Sequence, residues 1–141
     1  MVVDIRSFEA ADEDAVVALW EECGLVRPWN DPRRDIARKL TVQPDLFLLA
    51  VEGDVIVGAG MAGFDGHRGW VNYLAVTPGR RQSGIGAALM HAFEQRLLAL
   101  GCPKVNLQVR SGNDDVLAFY ARLGYTEDAV VSLGKRLIPD G

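Results

Sequence analysis

The feature that most constrains the fold is a glycine-rich junction between a predicted strand and a predicted helix. Residues Trp70–Val76 are rich in aromatic and aliphatic side chains and are stopped by Thr77-Pro78-Gly79. Apolar residues then recur at the spacing of one helix face, at Ile85, Leu89, Phe93, Leu97 and Leu100. A second alternating strand follows at Lys104–Val109. Because the helix crosses from one strand to the next, the two strands are predicted to be parallel.

The remaining segments place further strands and helices around this unit. Strands are predicted at Val2–Phe8, at Leu46–Glu52, at Val55–Phe64 after a tight turn at Gly53-Asp54, and at Val130–Ile138. Helices are predicted from the apolar face Val16, Leu19, Trp20 and Cys23 up to Gly24, from the N-cap Asp31 to about Thr41, and from the N-cap Asn113 to Gly124. The order β-α-α-β-β-β-α-β-α-β predicts an α/β protein whose mixed sheet carries helices on both faces.

Length and composition narrow the class of protein. The 141 residues, of which 49% are hydrophobic, predict one domain over 1–141 with its own core. The net charge of −4 and the absence of a basic face argue against a nucleic-acid partner. No apolar run approaches the roughly 18 residues of a membrane span, and no signal peptide is visible. Cys23 and Cys102 form no CxxC pair, so we expect no metal and a cytoplasmic location.

The glycine-rich junction predicts a site for a phosphate group. Gly84 and Gly86 lack a Cβ, so a ligand can approach their backbone, and the first helical turn leaves N–H groups without intrahelical partners. Arg80 and Arg81 add positive charge beside them. A Walker A loop is excluded because no lysine follows, and a dinucleotide fingerprint would need a third glycine where Leu89 stands. A glycine-rich turn that only lets a helix pack closely is the structural alternative.

The remaining fit is the pattern R/Q-x-x-G-x-G/A, in which the sequence resembles the GNAT acetyltransferase superfamily. In that superfamily the loop cradles the pyrophosphate of CoA. The resemblance therefore implies acetyl-CoA as cosubstrate and assigns these residues to its binding: Arg81, Gln82, Ser83, Gly84, Ile85, Gly86 and Ala87. Further segments, among them Arg27–Pro32 and Phe64–Gly69, are similar to the bacterial YpeA-type acetyltransferases, which sharpens the family and not the acceptor.

A second segment, Asn113–Tyr125, is similar to the other CoA-binding stretch of the superfamily. The resemblance implies that Asn113 and Phe119 contact the cofactor and that Tyr120 protonates the leaving thiolate. Asn113 is equally well placed as a simple helix cap, and Tyr120 as a core aromatic beside Phe119. On the strand Trp70–Val76, the resemblance implies a bulge, a splay from the next strand, and main-chain contacts from Leu74, Ala75 and Val76 to the pantetheine arm.

The implied reaction is direct attack of a primary amine on the thioester in a ternary complex, with a strand N–H such as that of Leu74 polarising the carbonyl. No motif identifies the base, so Asp31, Asp65 and His67 remain candidates beside a chain of water molecules. A non-catalytic acyl-CoA-binding module and an ATP or NAD binder are the alternative functions. The exposed end of the last predicted strand, Val130–Leu133, suggests pairing into a homodimer.

Overall fold

The computed structural model describes residues 2–140 and confirms the α/β class. Its strands are β1 (Val3–Ser7), β2 (Phe47–Glu52), β3 (Val55–Phe64), β4 (Gly69–Val76) and β5 (Val105–Leu107). Its helices are α1 (Glu13–Glu22), α2 (Pro32–Lys39), α3 (Ile85–Ala99) and α4 (Asp114–Arg122). Met1 and Gly141, which the predicted domain 1–141 includes, lie outside the described residues.

The five strands form one sheet in sequence order, β1 to β5. Neighbouring strands are antiparallel except for β4 and β5, which the crossover through α3 makes parallel as predicted. That parallel pairing is short, because it joins only Gly69–Val71 to Val105–Leu107. The second half of β4 therefore extends past the point where β5 ends.

The sheet separates two cores, and the alternation along β2 shows how. Phe47 and Leu49 pack with Trp20 of α1 and Ile36 of α2 on one face. Leu48 and Ala50 point to the opposite face, where α3 and α4 supply most of the partners. Because every second residue enters a different core, β2 is almost wholly apolar and buried on both faces.

A β-bulge interrupts β4 opposite β3. Met61 pairs with Asn72, but Ala59 pairs with Ala75, so Tyr73 and Leu74 together stand opposite Gly60. Tyr73 adopts a left-handed conformation with φ of 58°. The inserted residue places the side chains of both Asn72 and Tyr73 on the α1 and α2 side of the sheet. Leu74 then returns to the α3 side.

The predicted last strand, Val130–Ile138, is wrong for the chain as the structure describes it. Residues 126–140 form no helix or strand, and the side chains of Val130, Val131, Leu133 and Leu137 are 77–91% exposed. A strand needs a partner edge, and β5 offers one of only three residues instead of the predicted Lys104–Val109. The edge strand from which a homodimer was expected is therefore absent among residues 2–140. No helix in this range is long and apolar enough to cross a membrane.

Candidate functional site

The start of α3 presents a run of unpaired backbone donors. Gln82 and Gly84 both have positive φ, at 65° and 86°, which turns the chain sharply into the helix. The first helical hydrogen bond runs from the Ala88 N–H to the Gly84 carbonyl at 3.0 Å. Within residues 2–140, no protein acceptor receives the N–H groups from Gln82 to Ala87. Such a row of N–H groups at the positive end of a helix dipole suits an anion.

The two glycines of this turn have different structural roles. Gly84 has the left-handed backbone that a side chain would strain, and nothing lies within 4 Å of the position of a Cβ. A Cβ on Gly86 would lie 3.0 Å from Cζ of Phe119 and 3.6 Å from a methyl group of Val76. Gly86 therefore lets α4 pack closely on the start of α3, as the structural alternative supposed. That close packing also brings the second predicted cofactor segment beside the turn.

Of the two arginines in the turn, one is already paired. Arg80, predicted to add positive charge beside the turn, forms an ion pair with Glu52 of β2, which offsets that charge. The exposed Arg81 donates from Nε to the carbonyl oxygen of Val76 at 3.3 Å and has no carboxylate partner among the described residues. Ser83 donates its hydroxyl to the Arg80 carbonyl and so fixes the turn. Arg81 is left as the cation beside the N–H groups.

Tyr120 lies where α4 packs on the α3 side of the sheet. Its side chain is 9% exposed and packs edge-on against Phe119 and Tyr125, with ring centroids 4.9 and 5.7 Å away. Burial raises the pKa of Tyr120 to about 12. Its hydroxyl has no hydrogen-bond partner in the described part of the chain, although a buried Tyr hydroxyl usually finds one. Asn113 caps α4, accepting the Val116 N–H at 3.4 Å.

Between these parts, one edge of β4 lies open. After Val71 the strand has no β5 partner, so the backbone from Tyr73 to Val76 has no strand partner on that side, although the Val76 carbonyl accepts hydrogen bonds from Arg81 and Cys23. Leu74 and Val76 pack in the same core as Tyr120, whereas Ala75 points to the opposite core. The unpaired edge, the start of α3 and the Tyr120 ring thus border one region of the α3 side. Predicted cofactor-binding residues from β4, α3 and α4 border this region.

A groove of about 470 Å³ lies on the other face of the sheet, against the bulge. It is lined by Asn30, Asp35, Arg38, Lys39, Val42, Met61, Asn72 and Tyr73. The Tyr73 hydroxyl donates to Oδ2 of Asp35 at 2.6 Å, and Oδ1 of Asp35 accepts from Arg38 at 3.0 Å. Burial and the Asp35 carboxylate raise the pKa of Tyr73 well above its ordinary value. The sequence contains little that predicts this groove: its one signal is the irregular loop between α1 and α2, which contributes Asn30.

The predicted base candidates lie in turns. Asp65 accepts the N–H groups of His67 and Arg68 at 2.8 and 2.7 Å, and these bonds lower its pKa. Asp65 lines an extension of the groove beside Trp70, while His67 is exposed. Their loop precedes β4, and Gly69 is separated from Tyr73 by about 13 Å of strand at 3.3 Å per residue. Asp31 caps α2 by accepting the Arg33 N–H at 2.9 Å.

The groove and the α3 side approach each other at two loops. The guanidinium group of Arg110, in the loop before α4, lies 5.8 Å from the ring centroid of Trp29, in the loop before α2. This contact joins the segment that leads to Tyr120 with the segment that borders the groove. Within residues 2–140, no group of three His, Cys, Asp or Glu side chains is placed to hold a metal ion.

Comparisons with known proteins show which family the chain is similar to. Residues 9–125 match the model of the acetyltransferase (GNAT) family. The chain is 51% identical over 139 residues to an acetyltransferase of Sodalis glossinidius, covering 98% of both chains. It is also 51% identical over 138 residues to an acetyltransferase of Pectobacterium atrosepticum, again with 98% of both chains covered. Among solved structures it is similar in fold to AAC(6')-Iy in complex with a bisubstrate analogue, CoA-S-monomethyl-acetylneamine, with a TM-score of 0.75, 18% identity, and coverage of 96% and 99% of the two chains.

Proposed function

This chain belongs to the acetyltransferase (GNAT) family, and on that basis we propose that it transfers the acetyl group of acetyl-CoA to a primary amine. The observation that carries the proposal is the row of unpaired N–H groups from Gln82 to Ala87 at the start of α3. These donors, with Arg81, are suited to the pyrophosphate of CoA. The solved AAC(6')-Iy complex contains a CoA analogue on the same fold, which supports the choice of donor.

The open edge of β4 would bind the pantetheine arm. Its backbone groups from Tyr73 to Val76 have no strand partner on the β5 side, so an extended amide chain can supply one. The contacts expected from Leu74 and Val76 need only main-chain atoms, which explains why the sequence carries little trace of them. Asn113 and Phe119, at the cap and in the middle of α4, would flank the arm.

In the reaction, the lone pair of the amine attacks the carbonyl carbon of the thioester. The new C–N bond forms and the C–S bond breaks, so the sulfur leaves as a thiolate that needs a proton. Tyr120 would donate that proton from a hydroxyl that is protonated at neutral pH, and the second proton that the nitrogen loses as the amide forms would restore the phenol through water. A backbone N–H beside the bulge, such as that of Leu74, would polarise the carbonyl oxygen. No covalent enzyme intermediate is required.

The amine would enter through the groove on the α1 and α2 side. The bulge turns Asn72 and Tyr73 toward that groove, and the same backbone passes on to the open edge of β4. The amine must lose a proton before it attacks. Asp65 lies at the remote end of the groove, where its lowered pKa makes it a weak base, and the exposed His67 is not among the lining residues. The proton of the amine would therefore leave through water. The carboxylate at the bulge end of the groove is Asp35, which accepts the hydrogen bond from Tyr73.

The test is a thiol-release assay with acetyl-CoA and a panel of amines, amino acids and peptides, combined with calorimetry. We expect acetyl-CoA and CoA to bind, ATP and NAD to bind far more weakly, and at least one amine class to release thiol. Binding of acetyl-CoA without thiol release from any amine would favour the non-catalytic acyl-CoA-binding module. Absence of CoA binding would refute both readings. Cys23 and Cys102 are both free thiols, which fits a place of work in the reducing cytoplasm, a further part of this proposal.

A further inference from the structure

The carboxylate of Asp140, the last described residue, is buried although the residues before it are exposed. Residues 126–139, here called the terminal segment, form no helix or strand, and all of them are exposed. The side chain of Asp140, which follows directly, is only 1% exposed. The terminal segment, which has no buried apolar contacts, is thus followed by one enclosed carboxylate.

The site that encloses Asp140 is built for a carboxylate. Arg38 contacts both of its oxygens, at 2.6 and 3.4 Å, and the Asp31 N–H donates to Oδ2 at 2.9 Å. Arg136 lies 2.7 Å from Oδ2, and Arg34 lies 3.9 Å from Oδ1. These donors hold the pKa of Asp140 well below its ordinary value.

Most of this site does not depend on the terminal segment. Arg34 and Arg38 are on α2, and Asp31 is the N-cap of that helix, whose side chain is itself fixed by the Arg33 N–H. Asp35, one turn before Arg38, accepts a hydrogen bond from it at 3.0 Å and orients its guanidinium group. If Asp140 left, the two arginines and the Asp31 N–H would remain as a site for another anion.

The site also adjoins the groove. Arg38 lines the groove together with Asn72 and Tyr73, and Arg136 contacts Asn30, another lining residue. Polar contacts run without a break from Asp140 through Arg38 and Asp35 to the Tyr73 hydroxyl at the bulge. An acceptor whose amine lies at the bulge would thus have these arginines within the same groove.

We propose that Asp140 occupies a subsite for a carboxylate of the acceptor, so that the natural acceptor is a small amine that also carries a carboxylate. The acceptor displaces Asp140, and its carboxylate takes over the contacts of Arg38 and the Asp31 N–H. This inference rests on the proposed acetyl transfer and deepens it. The groove volume of about 470 Å³ is in the range of small-molecule sites.

The terminal segment can leave at low cost in free energy. Segments with few buried apolar contacts open locally far more easily than the core. Apart from its contacts near the groove, the terminal segment is tied by Asp128 to Lys104 and Asn106 and by Ser132 to Gln108, all exposed pairs. Its release therefore leaves both cores of the domain intact.

The test uses amino acids whose amine lies one to four carbons from the carboxylate, each paired with its carboxamide. In the wild type, the carboxylate member should be acetylated with the higher kcat/KM, and Arg38→Gln should remove that preference. Asp140→Asn should raise kcat/KM for the carboxylate members about fivefold, because it removes an internal competitor, and leave the carboxamides within about twofold. Asp128→Asn, which loosens the same segment away from the groove, should keep the wild-type ratio.

A binding readout that needs no acetyl transfer separates this proposal from the proposed function. In the absence of CoA, the carboxylate members should lower the backbone order parameters of residues 126–140 in NMR relaxation measurements, whereas the carboxamides should not. If these order parameters are unchanged by both, the subsite is refuted even when the enzyme is active. If Asp140→Asn lowers kcat/KM equally for both members, Asp140 is a structural anchor of the terminal segment and the proposal is wrong.

Discussion

The two faces of the sheet recognise their ligands by different means. On the α3 side, the candidate cofactor site consists of backbone N–H groups, a strand edge and two glycines. On the α2 side, the groove consists of side chains from α2, β3, β4 and the loops on either side of α2. A site made of backbone groups binds the same ligand in every relative that has the same turn. A side-chain site can change its ligand by substitution without altering the fold, so the acceptor is where such enzymes can diverge.

The largest effect is expected from Tyr120→Phe, which removes one hydroxyl from the α3 side. As loss of a general acid, it should lower kcat about 100-fold or more and leave acetyl-CoA affinity unchanged. The matched control is Tyr125→Phe, since the Tyr125 hydroxyl, on a ring packed against Tyr120, instead donates to Glu94 at 2.5 Å. The control should lose stability and keep its turnover. Equal kcat in the two variants would remove Tyr120 from the reaction.

The pH profile sharpens the same point. Burial disfavours the phenolate form and raises the pKa of Tyr120 to about 12, so the hydroxyl stays almost fully protonated up to about pH 10. The kcat of the wild type should therefore not fall between about pH 8 and pH 10, where an ordinary Tyr begins to ionise. An alkaline loss of kcat with an apparent pKa near 9, present in the wild type and absent in Tyr120→Phe, would contradict this environment.

The next effect concerns close packing at the glycine turn. In Gly86→Val the new Cβ would lie 3.0 Å from the Phe119 ring, and either α4 or the start of α3 must shift. Overpacking of this kind costs ~1–3 kcal/mol, so we expect acetyl-CoA to bind about 30-fold more weakly by calorimetry. The control is Gly79→Val, at a position with nothing within 4 Å of a Cβ. Unaltered binding by Gly86→Val would show that this turn does not hold the cofactor.

A smaller effect on the other face should separate the two sites. Asp35→Asn weakens the hydrogen bond from Tyr73 and the ion pair with Arg38. A charged hydrogen bond is worth ~1.5–3 kcal/mol, so the KM for the acceptor should rise about tenfold while the Kd for acetyl-CoA stays constant. Steady-state kinetics with the best amine of the panel measures the first, and calorimetry the second. A parallel loss of cofactor affinity would mean that the two faces are not independent.

The smallest effect is expected at the exposed cation of the cofactor side. Arg81→Ala should weaken acetyl-CoA binding about threefold at low salt, with less effect at high salt, because an exposed ionic contact contributes little and is screened. Arg80→Ala breaks the pair with Glu52 and should instead lower the thermal midpoint with little change in affinity. Calorimetry at two salt concentrations distinguishes the two arginines, and a larger effect from Arg80 would reverse their assignment.

The fold was predictable from the sequence where the signal is local. Asp31-Pro32 marks the start of α2 and Gly24 lies just past the end of α1, because caps and left-handed glycines act within one turn. The prediction failed at Val130–Ile138, where the residues have strand propensity but no neighbouring edge long enough to pair with. Strand formation depends on a partner that can be distant in sequence, so propensity alone does not decide it.

The same distinction holds for the candidate site. The turn around Gly84 is contiguous, and its chemistry can be predicted from a short motif. The groove brings Asn30, Asp35 and Tyr73 together from separate segments, and no spacing in the sequence links them. The carboxylate site of Asp140 joins residues more than one hundred positions apart, as the contact with Arg38 shows. Only the folded structure shows that these residues are neighbours.

The bulge in β4 has a consequence for how this strand tolerates changes in length. The bulge absorbs one extra residue, so Tyr73 repeats the face of Asn72, and Leu74 and Val76 follow on the faces they would have without it. Deleting Tyr73 would remove the bulge and leave Leu74 and Val76 in the α3 core, whereas deleting two residues would send them toward the opposite core. The turn at Gly66, by contrast, precedes the strand and can absorb an insertion. The bulge thus lets β4 lose one residue, and the turn before it can gain one, without exchanging the two faces of the strand.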